Sequence, residues 1–85
     1  MNELIKLEDA FLDVANMFLG KRTYEITRAE DAVTGKIYLR FKFHDNFSVL
    51  QTLERDVTEY DTDPEKLLKT FLDIVTEARA YIADN

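Results

Sequence analysis

From Lys36 to His44 apolar and polar residues alternate without a break. Ile37, Leu39, Phe41 and Phe43 fall on one side, and Tyr38, Arg40, Lys42 and His44 on the other. A period of two is the signature of a strand with one face in a core and one in water. An 85-residue chain has room for one core, so this strand sets the layer on which everything else must pack. The flanks then have to supply the cover for its apolar face.

Both ends of the chain switch to the helical period. Residues 3–19 place Leu4, Leu7, Phe11, Val14 and Phe18 on one stripe, with Asn2 as N-cap, Gly20 as the left-handed stop and Lys21 and Arg22 beyond it. The last helix is announced by Asp63 as cap, Pro64 at its first position and Glu65 in the first turn. Leu68, Phe71, Val75, Ala78 and Ile82 form its core stripe. Tyr24 and Ile26 alternate with Glu25 and Thr27, which predicts a first strand near 23–28, and the polar stretch from Glu30 to Gly35 predicts a turn.

Residues 47–60 suit either period. Read as a helix, they align Leu50, Leu53, Val57 and Tyr60, with Ser48 and Gln51 as a capping box. Read as a strand, a three-residue turn at His44-Asp45-Asn46 with Asn46 left-handed sets Phe43 opposite Phe47, Phe41 opposite Val49 and Ile37 opposite Leu53. Apolar residues then meet across the pair, which favours the strand. Leu50 points to the outer face, where with Tyr38 it would seed a contact patch. The expected fold is α+β: a single domain over 1–85, in the order α-β-β-β-α, with two helices on one face of a three-stranded antiparallel meander.

That order is also found in double-stranded RNA-binding domains, which the chain resembles in topology alone. Their function requires a basic cluster at the start of the second helix. Here that position reads DTDPEKLLKTF, and the chain carries −6 overall. Residues 54–65 hold six carboxylates and one arginine, so nearly all the net charge sits there. Such a run disfavours nucleic acid and anionic membrane and favours a protein partner with a basic surface. Glu54, Asp56, Glu59, Asp61 and Asp63 are the candidate partner-binding carboxylates. Within the run, Glu59 and Asp61 flank Tyr60 and have the least structural explanation.

Catalytic chemistry finds little material. There is no cysteine, so thiolate nucleophiles and disulfides are excluded. His44 and Ser48 are the only histidine and serine; with Asp45 they spell a triad that nothing aligns. Asp61, Asp63 and Glu65 have a calcium-loop spacing, but the proline and helix start follow at once. No metal, cofactor or enzymatic activity is expected. The outer row of Tyr38, Arg40, Lys42 and His44 reads as a solvated face paired with Glu25 and Glu54.

Each helix also carries a second apolar stripe: Ile5, Leu12 and Leu19 on the first, Leu67, Ile74 and Tyr81 on the last, with Leu72 nearby. These residues either pack helix on helix or form a homodimer interface. The composition therefore suggests a small acidic interaction protein, homodimeric and cytoplasmic, the N-terminus lacking a basic start and an apolar run. The alternative is an acidic nucleic-acid mimic, of phage or mobile-element type, that blocks a basic groove on a DNA- or RNA-processing enzyme.

Overall fold

The computed structural model describes the backbone of residues 3–83 and the side chains of residues 7–82. The elements are α1 (Glu3–Leu19), β1 (Tyr24–Glu30), β2 (Ile37–His44), β3 (Leu50–Asp56) and α2 (Pro64–Ala83). The three strands form an antiparallel meander in the order β1-β2-β3. Both helices cover one face of it, α1 over β1 and α2 over β3, and they pack on each other. No described helix is long and apolar enough to cross a membrane. Asn2 and the side chains of Leu4 and Ile5 lie outside the described residues.

The core is built on β2. Leu39, Phe41 and Phe43 are fully buried, and β1 and β3 add Ile26 and Leu53 at the same depth as Phe41. Phe71 of α2 ties the layers together. Its ring stacks on Phe11 of α1 at 4.5 Å and meets Phe41 edge-on at 5.4 Å. Because Phe11 lies beside Phe71 and Phe18 beside Leu72 and Val75, the two helices run in the same direction.

The second stripes are largely core. Leu67 and Ile74 have no exposed surface, Leu19 is buried, and Leu12 packs half-buried against the same cluster. The expected stripe on α1 is correspondingly rotated. Phe11, Ala15 and Leu19, spaced by four, face the sheet, while Phe18 is 45% exposed. A helix that must touch both a sheet and a neighbouring helix buries a broad arc, and the sheet claims its centre.

The β2–β3 register differs from the expected one. Phe41 faces Leu53, not Val49, a displacement of four residues. An even shift keeps every side chain on its expected face. Its cause is the turn. Asp45 accepts hydrogen bonds from the Phe47 and Val49 amides at 2.8 and 3.0 Å, and its own amide bonds the Val49 carbonyl. This Asx arrangement lengthens the loop to residues 45–49, and pairing begins at His44–Leu50. The left-handed residue is Ser48, with φ 62°, and not Asn46. Phe47 and Val49, expected on the core face of a strand, are therefore exposed in the turn.

β1 runs further than its apolar alternation. Arg28, opposite Leu39, occupies a core-face position at the sheet margin. Its guanidinium reaches Glu30 at 3.1 Å and Asp61 at 3.4 Å, which is how a charge is tolerated there. Leu50 and Tyr38 share the outer face but stand at opposite ends of it, so they form no common patch.

Candidate functional site

The two ends of the molecule differ in chemistry. One end gathers the β1–β2 turn and the corner between β3 and α2. Thr58 links them, its hydroxyl accepting from the Ile37 amide at 2.9 Å, while the Val57 amide bonds the Ile37 carbonyl. The acidic run lies along this corner. The other end gathers the end of α1, the β2–β3 turn and the end of α2. Arg22 donates to the Leu19 and His44 carbonyls and to Asn46 Oδ1, and the Asn46 amide donates to the Ile82 carbonyl.

At the acidic corner the carboxylates have separate tasks. Glu54 pairs with Arg40 at 2.7 Å on the outer sheet face, directly across the strands. Asp56 accepts from the Thr58 hydroxyl and amide, which hold its carboxyl below the ordinary value. Asp61 meets Arg28 at 3.4 Å. Asp63 caps α2 through the Glu65 and Lys66 amides at 3.1 and 3.3 Å, in the role expected for it. Glu59 is exposed beside an open cleft of about 430 Å³ that Lys36, Asp56, Thr58 and Tyr60 also line. A strip of carboxylates imitating duplex phosphates must lie on one surface and be free. These five lie on several surfaces, and four of them already hold a hydrogen-bonded partner. Among the described residues, no cluster of three or more histidine, aspartate and glutamate side chains is arranged to hold a metal.

The opposite end exposes apolar side chains. Phe47 is 73% exposed and Val49 and Leu50 are each 53% exposed, within four residues of one another. The turn displaying them is over-determined. Besides the two amides, Asp45 accepts from the Gln51 side chain at 3.0 Å. These bonds, the Val49 amide first, hold its carboxyl below the usual range. Asp31 organises the β1–β2 turn in the same way, with the Val33 and Thr34 amides lowering its pKa. At that turn only Val33 among the large apolar residues is exposed, and Gly35 at φ 74° takes the left-handed position. The β2–β3 turn instead puts a serine in that position, between the exposed Phe47 and Val49.

The network extends to the helices. The Tyr24 hydroxyl donates to the Gly20 carbonyl, and burial raises its pKa against the opposing pull of Arg22. Tyr81, from the second stripe of α2, is 42% exposed and leans edge-on against Phe43 at 6.0 Å. His44 stands exposed at the end of β2, while Ser48 and Asp45 bond within the turn. The sequence signal for the tip is Asp45, a turn-forming residue whose side chain lengthens the loop by accepting the Phe47 and Val49 amides. The chain matches no protein-family model, and neither a curated protein nor a solved structure matches it.

Proposed function

We propose that the chain is a small acidic, non-enzymatic protein-interaction module that works as a homodimer and binds a protein partner through Phe47. The observation that carries this reading is the exposure of Phe47 and Val49 on a turn that Asp45 holds by hydrogen bonds, with Leu50 exposed at the start of β3. Folding gains nothing from exposing them. Binding gains from an aromatic anchor that is already ordered, because less freedom is lost on association. Scattered exposed apolar residues are ordinary, but Phe47 and Val49 stand two residues apart on one turn, and Leu50 follows at the start of β3. The net charge of −6 biases encounters toward partners with basic surfaces.

The test places a photo-crosslinking amino acid at position 47 and, separately, at position 33. Val33 is 93% exposed at the other end of the molecule and serves as the internal control. In cells expressing the chain, position 47 is expected to give a discrete adduct with another protein. Position 33 is expected to give none. Equal labelling from the two positions, or none from 47, would overturn the reading.

A further inference from the structure

The phase of the backbone hydrogen bonds leaves one stretch of the sheet without partners. The Val57 amide bonds the Ile37 carbonyl and the Asp45 amide bonds the Val49 carbonyl, both in the β2–β3 register. Antiparallel pairing alternates along a strand. Gln51, Leu53 and Arg55 therefore bond β2, while Leu50, Thr52, Glu54 and Asp56 turn their amides and carbonyls to the free edge of β3. The chain itself closes the acidic half of that edge. The Arg55 guanidinium donates to the Glu54 carbonyl at 2.9 Å, and the Tyr60 hydroxyl lies 3.4 Å from the Asp56 carbonyl. Among the described residues nothing bonds the amides and carbonyls of Leu50 and Thr52, or the Glu54 amide. All three residues are exposed.

The free edge of β1 is different. The Asp31 amide bonds the Lys36 carbonyl, so Tyr24, Ile26, Arg28 and Glu30 face away from β2. The first three are buried or half-buried, on the strand that α1 covers. Arg28 also sets an inward-pointing charge there, a device that blocks further pairing. Arg55 does the same on the closed half of β3. The open half of β3 instead continues directly from the exposed Phe47 and Val49.

We infer that a protein partner adds an extended segment to β3 as a fourth strand. Its backbone bonds Leu50, Thr52 and the Glu54 amide, and its apolar side chains lie on Leu50, Val49 and Phe47. Only another extended backbone matches a row of alternating amides and carbonyls, which fixes the class of occupant. Charge fixes its chemistry. Six carboxylates in residues 54–65 follow the open stretch, so the segment runs on into basic side chains toward Glu54. A second copy of the chain would bring the same carboxylates to this edge and is disfavoured there. The inference rests on the partner half of the proposed function and gives that partner its form.

The experiment is amide hydrogen exchange, read residue by residue, on the free chain and on the adduct trapped through position 47. In the free chain the amides of Leu50, Thr52 and Glu54 are expected to exchange fast beside slow Gln51, Leu53 and Arg55. In the adduct the three are expected to slow at least about tenfold, while Tyr24 and Ile26 keep their rates. Independently, Thr52→Pro removes one edge amide at a position where an edge strand tolerates proline. It is expected to cut the adduct yield about tenfold, the equivalent of one hydrogen bond, while Thr52→Val leaves the yield unchanged. The exchange measurement does not depend on that variant. No adduct from position 47 would overturn both the proposed function and this inference. Slow Thr52 exchange in the free chain, an adduct that leaves the three amides fast, a full yield from Thr52→Pro, or an adduct with a second copy of the chain would overturn this inference alone.

Discussion

Phe71→Ala is expected to cost about 3–5 kcal/mol of folding stability, the range for truncating a fully buried aromatic. Phe71 has no exposed surface and touches Phe11 of one helix and Phe41 of the central strand. Removing its ring opens a void where both helices and the sheet meet, and two aromatic contacts go with it. A domain of this length has a total stability of roughly 4–13 kcal/mol, so the loss is a large share of the whole. Urea unfolding followed by far-UV circular dichroism measures it. A loss below about 1.5 kcal/mol would mean that the three layers do not converge on this ring.

Ile74→Asp is expected to prevent folding. Ile74 is fully buried, and the new carboxylate would have no cationic partner within the apolar cluster around it. Burying an unpaired charge costs more than such a domain can lose. Its proton spectrum is expected to collapse to unfolded dispersion, while Ile74→Ala stays folded with a loss of about 2–5 kcal/mol. The contrast with Leu72 matters, because the two positions lie two residues apart on one helix. The first belongs to the core, while the second is exposed. A folded, native-like Ile74→Asp chain would mean that Ile74 faces outward, as a residue at a dimer interface would.

The architecture was legible because its signals agree with one another. The alternation in β2, the glycine stop at Gly20 and the Asp63-Pro64 start each imply the element found there. The helices were legible as elements but not in rotation. Spacing by three, four and seven marks both Leu19 and Phe18 as apolar-face residues, and only contact with the sheet decides which is buried. For the same reason Leu67 and Ile74 could not be sorted between core and interface. The register of β3 was lost to side-chain hydrogen bonding. Cross-strand pairing of Phe47 and Val49 with the phenylalanines of β2 looked favourable. The Asp45 carboxylate, by taking their amides, removes both from the sheet. The sequence pointed to the acidic run as the candidate site, yet the structure gives four of the five candidate carboxylates in it a structural partner. The exposed apolar tip was hidden inside what read as a core strand.

The central claim is that Phe47 is displayed and not packed, and urea unfolding of the Phe47→Ser chain tests it most directly. A side chain 73% exposed should contribute little to folding, so the unfolding free energy is expected to stay within about 0.5 kcal/mol of the native value. A loss above about 2 kcal/mol, the range for a buried aromatic or a large aliphatic side chain, would place Phe47 in the core opposite Phe43 and contradict the account.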